Sequence, residues 1–398
     1  MSNKKKLIPN LRFSEFKDEG EWQIKKIGDI ANSQSSSMAL NKLDLKSTGY
    51  PVYGADSIVG YIDEFQHQEK YISVVKDGSG VGRLNLCQSN SSILGTLTSL
   101  KSKNKKQYDL NWLYYLLNTV DFSVYVKGAG IPHIYYSDFK NESVPVPTLK
   151  EQQKIASSLS SLDDLIEAHS EKLNLLKDHK KGLMQNLFPQ EGEDIPKIRF
   201  TDFKFDVKWQ IKELRELGSL INGLTYSPDD ITDNGLLVLR SSNIQNGIID
   251  LKDCVYVRMD VKGANHSKPN DILVCIRNGS KSLIGKNAII PIEFPVATHG
   301  AFMSVFRAKN PEFVFQLFQT DFYDNQVKAD LGATINSING KNFLKYKFPV
   351  PQNPEEQRKI ASCLTSVDGL IKSQTEKVEL LKKLKLGLIQ NLFPKISE

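Results

Sequence analysis

Glu151-Gln152-Gln153-Lys154-Ile155-Ala156 opens a stretch that closes on Gln185-Asn186-Leu187-Phe188-Pro189. The same pattern returns from Glu356-Gln357-Arg358-Lys359-Ile360-Ala361 to Gln390-Asn391-Leu392-Phe393-Pro394. The two stretches align without a gap and agree at about 24 of 39 positions, far beyond chance, so the chain is internally repeated. Pro-Val-Pro precedes both, at Pro145 to Pro147 and at Pro349 to Pro351. A second repeated block heads each half. Ile8-Pro9, Arg12-Phe13, Phe16-Lys17 and Trp22-Gln23-Ile24-Lys25 return as Ile195-Pro196, Arg199-Phe200, Phe203-Lys204 and Trp209-Gln210-Ile211-Lys212.

Inside the first helical stretch, apolar residues fall at Ile155, Leu159, Leu162, Ile166, Leu173, Leu176, Leu183 and Leu187, the alternating four-three spacing of a coiled-coil seam. The second repeats it with Ile360, Leu364, Val367, Ile371, Val378, Leu381, Leu388 and Leu392. Both seams are interrupted at the same places, by His169 and Lys180 in one and by Gln374 and Lys385 in the other. Polar groups on a seam cost stability and penalise wrong registers, so matched interruptions suit helices that pair with each other. One such helix alone reads as an amphipathic helix lying on its own domain. Duplication and a length of roughly 50 to 58 Å, at about 1.5 Å per residue, favour an antiparallel pair holding two globular domains at opposite ends.

Between the repeated blocks the halves diverge, roughly over 33–141 and 222–347, yet a thin skeleton persists in order. Lys76-Asp77-Gly78-Ser79 with Gly82-Arg83 answers Arg277-Asn278-Gly279-Ser280 with Gly285-Lys286. Each follows a strand-like run, Tyr71 to Val75 or Asp271 to Ile276, and Asp-Gly or Asn-Gly there favours a hairpin. Asn111 to Leu117 and Pro311 to Phe318 read as corresponding buried helices. Gly128-Ala129 with Ile131, Ile134 and Phe139 answers Gly332-Ala333 with Ile335, Ile338 and Phe343. One fold therefore carries two different surfaces. The fold class is α+β: two similar mixed α/β domains joined by two long helices that form an antiparallel coiled coil. The segments are a first domain at 1–145, a first spacer at 146–189, a second domain at 190–349 and a second spacer at 350–398.

Bulk properties fit this division. A length of 398 residues exceeds what one hydrophobic core usually serves, and 40% hydrophobic with 25% charged residues is an ordinary folded composition. The formal charge of +6 permits a nucleic-acid surface without requiring one. Lys4-Lys5-Lys6 leads into too short an apolar stretch for a signal peptide, and no apolar run could span a bilayer, so a cytoplasmic location with no membrane is expected. Cys87, Cys254, Cys275 and Cys363 are widely spaced, suggesting neither a zinc site nor a disulfide framework.

Catalytic motifs are missing, so no catalytic and no metal-binding residue is expected. An amino-methylating enzyme needs an Asn/Asp-Pro-Pro-aromatic loop to grip a flipped base, and none occurs. Asp77 to Gly82 only superficially resembles a nucleotide-binding glycine loop. Gly285-Lys286 is followed by Asn287, which fails the P-loop pattern, and the six histidines lack ligand spacing.

Over essentially its whole length the chain resembles the specificity subunits of type I restriction-modification enzymes. The resemblance rests on the Pro-x-x-Arg-Phe-x-x-Phe…Trp openings at Pro9 and Pro196 and the Pro-Val-Pro…Glu-Gln-x-Lys-Ile-Ala helix starts. It rests equally on Asp163 and Asp368 and on the Asn-Leu-Phe-Pro exits. It implies two target-recognition domains, each reading half of a split double-stranded DNA sequence, on helices that space the half-sites. Two methyltransferase subunits would dock there, and two restriction/translocase subunits would join them. No cofactor is expected in this chain: S-adenosylmethionine, ATP and Mg would belong to the partners. Phosphates would be met by lysines and arginines and base edges read by Arg, Asn, Gln, Ser and His. The candidates are Lys76, Ser79, Arg83, Lys127 and His133 in the first half, and Arg240, Asn243, Arg277, Asn278, Ser280, Lys281, Lys286 and Asn336 in the second. Lys101, Lys103, Lys105 and Lys106 read as a solvated loop. Competing readings are a self-contained methyltransferase or nuclease, which the missing motifs oppose, and a helical adaptor without sequence-specific DNA binding.

Overall fold

The computed structural model describes residues 7–331 and 336–396; Lys4 to Lys6, Gly332, Ala333 and Ile335 lie outside them. The chain divides into two compact units, Met1–Glu171 with Thr375–Glu398, and Lys172–Gln374.

In the first unit the two repeated blocks meet as a strand pair. Gln23–Lys26 runs antiparallel to Ser143–Val146, with Ile24 opposite Pro145. The middle of the domain hangs between these strands. Its main antiparallel sheet has the order Ala31–Ser35, Leu97–Ser102, Tyr71–Val75, Leu84–Cys87. Tyr71–Val75 is buried at every residue, as a central strand covered on both faces should be. A smaller sheet joins Ile58–Ile62, Tyr50–Tyr53 and Ser92–Ile93, the last two in parallel. Lys101 lies on the strand Leu97–Ser102, not in the loop expected for the lysine cluster.

The second unit repeats the plan. Gln210–Glu213 pairs with Lys347–Val350, and the main sheet runs Gly218–Asn222, Met303–Ala308, Ile272–Cys275, Asn287–Ile289. Leu236–Leu239 pairs in parallel with Ala297–His299 in the smaller sheet. The expected helices are present as Leu110–Leu117 and Pro311–Leu317. Asp109 caps the first by accepting from the Trp112 amide at 2.9 Å; Pro311 begins the second, where the missing N–H is no loss.

The long helices are Leu149–Leu187 and Pro354–Leu392, 39 residues each. Every expected seam residue is buried or half-buried. Their pairing is visible inside each unit. In the first unit Lys385 Nζ lies 2.5 Å from Asp163; in the second, Lys180 Nζ lies 2.7 Å from Asp368. The seam lysines thus neutralise the two signature aspartates of the opposite helix. The step from Asp163 to Lys180 on one helix equals that from Asp368 to Lys385 on the other, so both ion pairs define one antiparallel register. Each aspartate is also held by its own domain, Asp163 by the Tyr115 hydroxyl at 2.7 Å and Asp368 by the Gln316 amide at 3.2 Å.

The seam ends also serve as domain core. Ile155, Leu159, Leu392 and Phe393 cluster with Ile72, Leu100, Trp112 and Leu116 in the first unit. Leu187, Phe188, Ile360 and Leu364 cluster with Ile272, Phe306, Phe313 and Leu317 in the second. The helices therefore pair with each other and also pack on their domains; the two expectations are not exclusive.

Candidate nucleic-acid interface

What holds each domain to its helix is a buried ion pair between the repeated blocks. Arg12 donates through Nε and Nη2 to both carboxylate oxygens of Glu151, at 2.8 Å each. Arg199 does the same to Glu356, at 2.7 Å each. Both glutamates are 1% exposed, and the guanidinium of each arginine also caps carbonyls of its own segment, such as Gly20 and Asp206. The glutamate raises each arginine's pKa further, chiefly through the side-chain hydrogen bond, so the guanidinium stays charged despite its burial. The next residue, Gln152, donates to the carbonyls of Gln107 and Pro147 at 3.0 Å and accepts from the Asp109 amide at 2.9 Å. Gln357 likewise reaches the Pro351 carbonyl at 2.8 Å. Each helix exit packs on the head of the other repeat. Phe393 meets Trp22 edge-on at 6.2 Å, and Phe188 meets Trp209 at 6.0 Å. The Leu11 amide donates to the Asn391 carbonyl and that of Ile198 to Asn186, both at 2.9 Å.

These clamps are built from the repeated blocks, leaving the diverged loops as the candidate interface. In the first unit the hairpin connection 76–83 is tied to the segment 126–135. The Gly78 amide donates to the Pro132 carbonyl at 2.9 Å and the Ile134 amide to the Lys76 carbonyl at 2.8 Å. Lys127 and His133 exchange backbone hydrogen bonds at 2.9 and 2.8 Å. All five candidates of this half, Lys76, Ser79, Arg83, Lys127 and His133, are therefore brought together on two joined segments. Lys127 is paired with Asp138 at 2.6 Å and Arg83 with Asp56, while Ile131 beside them is 70% exposed.

In the second unit the connection 276–286 is tied to Asn336 to Ile338. The Ile338 amide donates to the Ile276 carbonyl at 2.8 Å, and the Asn336 side chain to Gly279 at 3.4 Å. The Asn278 amide nitrogen Nδ2 donates to Ser241 Oγ at 3.0 Å, which brings in the 240s segment, and Asn278 Oδ1 accepts from the Ser280 backbone at 3.0 Å. The Arg277 guanidinium lies 5.9 Å from the Phe302 ring. Ser280 and Lys281 are exposed on the same connection.

One candidate is spent on structure, and two others have partners within the unit. Asn243 is fully buried: it donates to the Asp250 and Asp253 carbonyls at 3.0 and 2.9 Å and accepts from the Arg240 amide at 2.8 Å. That commits both donor hydrogens and one lone pair of its buried side-chain amide to shaping a turn, so the expected base-reading role is corrected to a structural one. Lys286 donates to the Ile244 carbonyl at 2.8 Å, and Arg240 is paired with Asp253 at 2.7 Å.

The correspondence between hairpins also needs correction. In both units the strand end and the return residue pair identically, Val75 with Gly82 and Arg83, and Cys275 with Gly285 and Lys286. Counting forward from there, Lys76 corresponds to Ile276 and Asp77 to Arg277. The isolated bridges agree, joining Asp77 to His133 and Arg277 to Ser337. The Lys-Asp-Gly-Ser and Arg-Asn-Gly-Ser words are thus one residue out of register. Neither Asp-Gly nor Asn-Gly makes a two-residue turn; the strands close across longer connections. Phe302 is hidden in the sequence because it precedes a strand whose first four residues are buried and so reads as core, yet it is 55% exposed.

Residues 19–178 and 206–383 match the family model described as the type I restriction modification DNA specificity domain, once in each half. The chain belongs to this family. Among specificity subunits, it is 26% identical over 397 residues to that of the type I restriction enzyme MjaVIII of Methanocaldococcus jannaschii, covering 94% of this chain and 92% of the relative. It is 29% identical over 194 residues to the EcoKI specificity subunit of Escherichia coli, covering 46% of this chain and 41% of that one. The fold is shared with the crystal structure of a type I system S subunit from M. genitalium, at 19% identity and a TM-score of 0.73, over 98% of this chain and all of that one. In this specificity-domain chain the repeated clamps are the common scaffold and the hairpin connections the divergent part. Among the described residues no helix is long and apolar enough to cross a membrane.

Proposed function

We propose that this chain is the non-catalytic DNA-reading subunit of a type I restriction-modification complex, each domain reading one half of an asymmetric bipartite target. The observation that carries this reading is the contrast within one duplication. Arg12–Glu151 and Arg199–Glu356 are reproduced atom for atom, while the connections 76–83 and 276–286 share a backbone hydrogen-bonding frame but differ in length and charge. A duplicated protein that keeps its joints and varies two loop surfaces presents two different readers in one frame. Lys76, Arg83, Lys127 and Lys281 would meet phosphates; Ser79, His133, Arg277, Asn278, Ser280 and Asn336 would face base edges.

Docking of two methyltransferase subunits, and through them two restriction/translocase subunits, has support on the helices. Leu165 and Leu370, at corresponding positions of the repeat, are 43% and 57% exposed, and Leu175 and Leu380 are 69% and 62% exposed. Apolar residues left outside the seam at matching positions suit two copies of one partner. S-adenosylmethionine, ATP and Mg would be held by those partners. The test is co-expression with the methyltransferase subunit of its own system in a host free of adenine and cytosine methylation, followed by single-molecule mapping of methylated bases. A split, asymmetric motif that depends on this chain is expected. Methylation without any chain-dependent motif would favour the helical adaptor instead.

A further inference from the structure

Asp77 and Arg277 occupy the same backbone position in the two domains and carry opposite charges. The anchoring is equivalent. The Asp77 amide donates to the Thr96 carbonyl at 3.3 Å, and the Arg277 amide to the Phe302 carbonyl at 3.1 Å. The preceding residues, Lys76 and Ile276, each accept an amide from the facing segment at 2.8 Å. The facing residues are His133 and Ser337. With the backbone held alike, the fold does not dictate the side chain, and a charge reversal there marks a position free to serve recognition.

We infer that this is a base-reading position: guanine is read by Arg277, and cytosine, whose major-groove edge offers an amino donor without the neighbouring N7 acceptor that adenine carries, by Asp77. This rests on the DNA-reading role proposed above. Arg277 is exposed and lies over the face of Phe302, which restricts the guanidinium before DNA arrives. A planar fork of donors matches O6 and N7 of guanine, whose edge offers two acceptors. Phe302 is then a positioning residue, and Thr96 replaces it beside Asp77. Asp77 discriminates between roles more sharply. A carboxylate set against phosphates would be repelled, so on a DNA-facing hairpin it is useful only where a base presents a donor, as the N4 amino group of cytosine does.

The experiment uses the full chain assembled with its methyltransferase subunits, selecting targets from a randomised library and mapping methylation. Asp77→Asn should move the preference at one base of one half-site towards adenine, and Asp77→Arg towards guanine, leaving the other half-site unchanged as an internal proof of folding. Arg277→Ala should lose guanine preference at one base of the other half-site, on the order of ten- to a hundred-fold. Phe302→Ala should weaken that same preference, and Phe302→Tyr should keep it. Unchanged base preference in Asp77→Asn and Arg277→Ala, or uniform weakening on all sequences, overturns the inference. A wild-type complex with no chain-dependent motif would instead defeat the DNA-reading role itself.

Discussion

The Arg–Glu clamps and the hairpin connections descend from one duplication and have had opposite histories. At the clamps, a bidentate ion pair with 1% exposed glutamates recurs in both units, down to the capped carbonyls. At the hairpins the hydrogen-bonding frame recurs while the side chain changes from Asp77 to Arg277. A buried charge tolerates no variation because either partner alone is left uncompensated. A side chain that reaches solvent from a tied backbone, as exposed Arg277 does and half-buried Asp77 does in part, can change its chemistry at little cost to folding. Conserved joints and variable tips are therefore what the energetics of each place allow.

The largest effect should come from breaking a joint. Arg12→Ala and Arg199→Ala each leave a buried carboxylate unpaired and should destabilise their own unit by about 3 to 5 kcal/mol. Denaturant unfolding of the two variants should give similar losses; a much smaller loss in one would break the equivalence of the clamps.

A smaller effect should separate structural from reading residues within one unit. Asn243→Ala, which strips a buried turn of its hydrogen bonds, should cost about 1 to 3 kcal/mol of stability and leave base preference at bound targets unchanged. Altered base preference with unchanged stability would return Asn243 to the reading surface.

The smallest effect belongs to the seam lysines. Lys180→Met and Lys385→Met remove ion pairs that are partly exposed, with lysine side chains at 18% and 24%, and should each cost no more than about 1 kcal/mol. Their role in choosing the antiparallel register should show instead as mixed oligomers by light scattering when both are replaced. A single species of unchanged mass would confine them to local pairing.

Much of this was legible in the linear sequence. The ungapped repeat, the four-three spacing from Ile155 to Leu187 and the paired interruptions at Lys180 and Lys385 are local patterns that helical geometry converts directly into a face. The positions of the two hairpins followed from buried runs ending in Gly-containing connections. Other features were hidden. Arg12 and Glu151 were each visible as repeated residues, but nothing in their spacing declares that they touch across more than a hundred residues. Asn243 looked like a polar reader because burial of a polar side chain depends on carbonyls at Asp250 and Asp253 converging on it.

The duplication, the helical seam and the division between constant and diverged segments are written in the linear order of residues, because repeats and periodicity are properties of order along a chain. Folding in three dimensions is what sets Lys385 against Asp163, closes Phe393 on Trp22, and places Asp77 rather than Lys76 where Arg277 stands. Those depend on non-local hydrogen bonds and packing: connections of unequal length conceal the register in the letters, and the backbone pairing of Val75 with Arg83 and of Cys275 with Lys286 restores it.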